Sequence, residues 1–206
     1  MEDYKQQLRD LGEIRRLVEE SSRFVSLSGL SGVAAGVVAL IGAAGTAIYL
    51  DGEGLLPGEG RYFYGNGEVL ALVGIALLIF VCAVGASAFF TLRNTRRQGK
   101  KVWTAPTRRL MYSMVVPLAA GAVFCIQLAL SGEGGMVPGA TLLFYGLALL
   151  NAGKYTLLEI RYLGISEVVL GLIAVSLTGY GIFFWAFGFG VLHIGYGLWM
   201  YLKYER

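Results

Sequence analysis

Histidine is almost missing from this chain: His193 is the only one. One imidazole cannot supply the histidine-rich di-iron site of membrane desaturases, HExxH zinc ligation, or bis-histidine haem ligation within one chain. A single axial ligand stays open. No Walker A loop and no GxSxG elbow is present, and Ser87 and Ser176 have no base at motif spacing, so a serine nucleophile is unsupported. Cysteine is nearly as scarce. Cys82 and Cys125 both fall inside long apolar runs, at depths that differ by roughly 10 Å. That argues against a disulfide and against a thiolate metal set, and leaves them as small packing residues. The sequence points to no cofactor.

Positive charge is missing from one side of the chain. Apolar runs cover about 24–50, 69–92, 110–130, 137–155, 162–178 and 181–201, each close to the ~20 residues a helix needs to cross hydrocarbon. If all six span, every Lys and Arg of the 17 in the chain except Arg61 falls on a single side. Such a bias puts that side, with both termini, in the cytoplasm. The expected architecture is therefore an all-α polytopic membrane protein of six transmembrane helices (24–206) behind an N-terminal amphipathic cytoplasmic helix (1–23). No apolar core precedes Phe24, so the first span itself is expected to direct insertion. The basic loop holding Arg93, Arg96, Arg97, Lys100, Lys101, Arg108 and Arg109 reads as a topology determinant against an anionic leaflet. The net charge of +3 is thus no nucleic-acid signal.

What the chain has in abundance is glycine, 30 residues of it, as closely packed membrane helices require. Gly29, Gly32 and Gly36 share one side of the first run, and the Gly32/Gly36 step suits close contact with a neighbouring helix of the same chain. Upstream, Tyr4, Leu8, Leu11, Ile14 and Val18 recur with helical period. The charges around that stripe are nearly balanced, which favours docking on the bundle or on a second copy over anionic lipid. The segment 51–67 carries Tyr62, Phe63 and Tyr64, residue types of the membrane interface. Pro117 predicts a kink in the third span, and Pro138 suits the first turn of the fourth. Spans five and six are joined only by about 179–181, a tight antiparallel hairpin. Spans 1–3 are not repeated in spans 4–6.

Ionisable groups inside spans are expensive and mark candidate sites. Span four is expected to end with Asn151 and Lys154. Span five opens with Glu167, followed on the same face by Gly171, Ala174 and Thr178. On span six Ala186, Gly190, His193 and Gly197 recur with helical period. Counting from the helix ends, Glu167 lies ~9 Å from Arg161 and His193 ~15 Å from Lys203, so the two can meet between adjacent antiparallel helices. Asn151 and Lys154 are expected nearby. Such a cluster could handle protons or bind a ligand, or it could be an interhelical hydrogen bond with Lys154 reaching to the cytoplasm. Tyr112, Tyr145, Tyr180 and Tyr196 read as interface or packing residues.

The opening Ser26-Leu27-Ser28-Gly29 and the ending His193-x-x-Tyr196-Gly197-x-x-Met200-Tyr201-x-Lys203-Tyr204-Glu205 resemble a family of uncharacterised bacterial six-helix membrane proteins. The resemblance implies an all-helical inner-membrane protein and brings no activity with it. Three functions stay open. The first is a non-enzymatic module that binds a small ligand, lipid or partner in a sensory or transport role. The second is a membrane enzyme or redox subunit using His193 as axial ligand or base, and the third a structural subunit of a membrane complex. The expected partners are the lipid bilayer, a small ligand or lipid, and a second copy or a larger complex, with no nucleic acid.

Overall fold

The computed structural model describes residues 6–7, 28–52 and 66–206. The expected amphipathic helix at 1–23 lies outside these residues apart from Gln6 and Gln7, as does most of the segment 51–67 with its aromatic residues. The described chain is all-helical. α1 is Gly29–Gly52, α2 Asn66–Arg97, α3 Ala105–Leu130, α4 Val137–Ala152, and α5 Leu158–Ser176. α6, Thr178–Tyr204, opens with a turn of 3-10 helix and is π-wound over Ala186–Leu192. α1, α2, α3 and α6 are long and apolar enough to cross a membrane, and so is α4 together with the 3-10 turn before it, Gly134–Ala152. α5 has the length but carries Glu159, Arg161 and Glu167.

Local sequence explains several boundaries. Thr104 caps α3, accepting from the Thr107 backbone N–H at 3.4 Å, and Pro106 occupies the first turn, where no amide is needed. The stretch of α3 through Pro117 is unbroken α-helix. Gly132, with φ of 77°, reverses the chain after α3, a conformation open to glycine at no steric cost. Two boundaries differ from expectation. α4 stops at Ala152, so Lys154 stands in the turn beyond the helix. α5 starts at Leu158 and stops at Ser176, which brings Glu159 into its first turn and leaves Thr178 outside it.

Many large apolar side chains point outward, while the core combines small residues with a few leucines and Met200. Ile41, Ile48, Leu70, Leu78, Val116 and Phe183 are exposed, whereas the core holds Ala39, Ala43, Ala140, Ala148, Ala152 and Ala174. In water that distribution would be ruinous; in lipid, whose tails are as apolar as leucine, helices associate by backbone approach instead. Glycine makes that approach possible in two pairs. α1 lies against α6: a methyl group added at Gly197 would stand 2.6 Å from the Val33 amide nitrogen and 2.7 Å from the Gly29 carbonyl oxygen. The Gly32/Gly36 step faces α6 too, meeting Gly197 and Gly190. α4 lies against α5 in the same manner, Gly146 upon Gly164 and Val168, Gly171 upon Gly139 and Leu143. α2 packs chiefly on α1 and α3 chiefly on α4, where Gly121 receives Phe144. The two groups, α1–α2–α6 and α3–α4–α5, meet where α6 touches α4 and α5.

One end of the bundle gathers the start of α1, the start of α5 and the end of α6. The Glu205 carboxylate accepts from the Gly29 amide and, at 3.1 Å, from the Ser28 hydroxyl. It therefore serves as the acceptor that a helix N-terminus needs. Lys203 Nζ donates to Glu159 Oε1 at 2.6 Å, and the Tyr204 hydroxyl donates to the same oxygen at 3.0 Å.

Candidate functional site

Glu167 is completely buried and His193 nearly so. They come from α5 and α6 and meet where the two helix groups join. Nδ1 of His193 stands 3.4 Å from Glu167 Oε1 and 3.0 Å from the Gly188 carbonyl oxygen. Nε2 is 2.8 Å from the Tyr145 hydroxyl, contributed by α4. A carbonyl can only accept, so in the neutral ring Nδ1 carries the proton and Tyr145 donates to Nε2. The imidazole is thus fully hydrogen-bonded without help from Glu167. The carboxyl group is not: neither Oε1 nor Oε2 has a hydrogen-bond partner.

The backbone winding explains the first of these contacts. π-helix places the carbonyl five residues back beneath a residue, and such turns recur at functional sites. Gly188 is five residues before His193, and its carbonyl faces the ring. Gly188 also makes room for the carboxyl group, since a methyl there would lie 2.6 Å from Glu167 Oε2 and 2.5 Å from Leu142 Cδ2. Leu170 closes on the same spot, its Cδ2 3.0 Å from where that methyl would stand. On the other flank aromatic rings adjoin: Trp185 and Phe189 (4.9 Å between centroids) and Phe189 and Tyr145 (5.0 Å) are tilted against each other, and Phe189 stacks on His193 (5.9 Å).

Of the four residues singled out in the sequence, the structure brings two together. Asn151 turns the other way, donating to the Ser113 carbonyl of α3 at 2.7 Å. Lys154 is exposed and reaches only Asn151 Oδ1, at 3.4 Å. They stand near the end of α4, past the helix in the case of Lys154, and not beside Glu167. The residue that sequence reasoning left out is Tyr145. It sits six residues before Asn151, ~9 Å deeper along α4, and that spacing was the available signal. The π turn had none beyond the paired glycines Gly188 and Gly190.

Chemically the arrangement is a short line of exchangeable protons, carboxyl to imidazole to phenol, in a buried apolar setting. Among the described residues no three His, Cys, Asp or Glu side chains converge as a metal site would need. Both ring nitrogens of His193 are engaged, which leaves neither lone pair directed at an open position. No family model, curated protein or solved structure matches this chain.

Proposed function

We propose that this protein is a six-span bacterial inner-membrane protein with both termini in the cytoplasm, a non-enzymatic module of sensory or transport type whose working group is the Glu167–His193–Tyr145 cluster. The ligand this cluster suits best is the proton. One observation carries the reading: a completely buried carboxyl group without a hydrogen bond, 3.4 Å from an imidazole whose own bonds are complete. Leaving a buried polar group unpaired costs about 1–3 kcal/mol, and a structural role would be served at lower cost by an amide or an apolar side chain. Intramembrane carboxyl–histidine chains are the groups from which proton relays are built. The redox alternative needs a free ring nitrogen, and the engaged ring speaks against it.

The test uses the single histidine. With the imidazole nitrogens labelled and the protein in lipid nanodiscs, His193 should appear as the Nδ1–H tautomer, and Tyr145→Phe should shift the Nε2 resonance by removing its donor. The His193 titration curve should change shape or midpoint in Glu167→Gln, because two groups this close titrate as a pair. Identical curves in the two proteins would sink the reading.

Orientation is tested separately. The one-sided distribution of basic residues supports it, as does the gathering of the first and last described helix ends at one end of the bundle. In a background without Cys82 and Cys125, Pro57→Cys should react with an impermeant thiol reagent added to intact cells. Gln98→Cys should react only after the membrane is opened. The opposite pattern would reverse the topology.

A further inference from the structure

α5 and α6 touch far less closely than α4 and α5 or α1 and α6, yet polar side chains bridge them at three levels. At the end of the bundle Glu159 faces Lys203 and Tyr204. Deeper in, the Ser166 and Tyr196 hydroxyls lie 3.5 Å apart. Deepest, Glu167 faces His193. Glu159 and Glu167 are eight residues apart, ~12 Å along α5, and His193 and Lys203 ten apart, ~15 Å along α6. The two carboxyl–base pairs therefore stack on one seam.

Both carboxylates on that seam are buried with oxygen unpaired. Glu159 is 2% exposed; Lys203 and Tyr204 share its Oε1, and Oε2 has no partner. An ion pair kept only for stability would satisfy both oxygens, since an unpaired one forfeits the gain. Lys203, by contrast, is half exposed and can swing to water. Between the pairs, Leu163 on α5 and Met200 on α6 are buried and apolar, so the seam is interrupted and does not run as a continuous wet channel.

We infer that Glu159 is the cytoplasmic proton-loading group for Glu167, and that Leu163 and Met200 close the way between them. This rests on the proton reading of the deeper cluster. When Lys203 swings out to water, the oxygen it leaves, Glu159 Oε1, takes a proton from water, and the neutralised carboxyl group no longer holds the lysine. When the seam admits water, the proton passes by way of the Ser166–Tyr196 hydroxyls to Glu167. At each step one O–H bond breaks as another forms, and no group is oxidised or reduced. The facing ionisable groups are Glu159, Tyr196, Lys203, Tyr204 and His193, with Tyr145 from α4. Where α1 packs on this part of α6 it presents glycine backbone and no ionisable side chain. Glu159 is a positioning and loading group; it does not touch the His193 ring.

The experiment is a pH jump on the whole protein in nanodiscs, with the Glu167 carboxyl stretch followed by infrared spectroscopy and assigned by its loss in Glu167→Gln. Glu159→Gln should slow the response by about a hundredfold or more, the scale of losing one positioned proton-transfer group, and leave its end point unchanged. Glu159→Asp should restore most of the rate. Leu163→Asn, which places a hydrogen-bonding group between the pairs, should accelerate it and keeps the test available should Glu159→Gln fold poorly. Rates indifferent to both Glu159→Gln and Leu163→Asn would overturn the loading role alone. A wild-type protein whose Glu167 band never responds to pH would overturn the proton reading itself.

Discussion

Gly197→Ala should disrupt the bundle, and Gly195→Ala, two residues away on the same helix, should leave it intact. A methyl at 197 would stand 2.6 Å from the Val33 amide nitrogen, 2.7 Å from the Gly29 carbonyl oxygen and 3.0 Å from the Gly32 carbonyl carbon. All three belong to backbone, which cannot rotate away as a flexible side chain can. α1 and α6 must separate, and the glycine contacts at Gly29, Gly32 and Gly36 open with them. Overpacking of a tight core costs about 1–3 kcal/mol, occasionally more; a backbone-to-backbone seam with no give belongs at the upper end. At Gly195 the same methyl meets nothing within 4 Å and gains the better helix propensity of alanine. Thermal unfolding in detergent, read by loss of the monodisperse peak, separates the two. Equal midpoints would mean that α1 and α6 do not pack as described. Gly146→Ala should behave like Gly197→Ala, because its methyl would meet the Gly164 carbonyl and the Val168 amide, both at 2.7 Å.

What could be read from the residues was whatever depends on one helix at a time, or on a connection too short to leave a choice of neighbour. Apolar run length located every described helix, and the glycine spacing of α1 marked the side on which it packs. The Glu167–His193 contact was legible because spans five and six are joined by a connection too short to allow any arrangement except neighbours. Depth along each helix then paired the residues. What failed were features that depend on which flank of a helix its other neighbours occupy. Asn151 was placed with Glu167 by depth, but its side chain faces α3 and the Ser113 carbonyl, and no sequence pattern says which flank of α4 receives α3. Lys154 was lost to a helix that ends at Ala152, ahead of Gly153.

Tyr145 was missed for a related reason. A tyrosine inside a span is most often packing, and only the approach of α6 to α4 turns its hydroxyl into a hydrogen-bond donor for His193. The helical period of span six presumes α-helical winding throughout. Over Ala186–Leu192 the winding is π, which widens each turn and rotates the residues beyond it about the helix axis. His193 still faces inward because it begins the regular α-helical stretch that carries Gly197 and Met200, all three buried. The Gly188 carbonyl contact depends on the π turn and could not have been foreseen.

Glu167→Met should make the protein more stable and silence it. The carboxyl group lies among Leu142, Leu170 and the Gly188 backbone, with no exposed surface and no hydrogen bond to either oxygen. His193 loses nothing essential when it goes, since Gly188 and Tyr145 already satisfy both ring nitrogens. Methionine matches the length of glutamate and fills irregular apolar space. Removing an unpaired buried polar group in favour of a similar apolar one should therefore stabilise the bundle by about 1–3 kcal/mol. A purely structural polar contact would give the opposite sign, because breaking a buried pair by deleting one partner is strongly destabilising. Reversible unfolding in mixed micelles, with circular dichroism as the readout, decides between them. The pH response of His193 should be that of a lone imidazole in the same variant. A rise in stability together with loss of that coupling is the signature of a group kept for function at a cost to the fold. A fall in stability comparable to that of Gly197→Ala would mean that Glu167 holds the helices together, and the working group of the protein would have to be sought elsewhere.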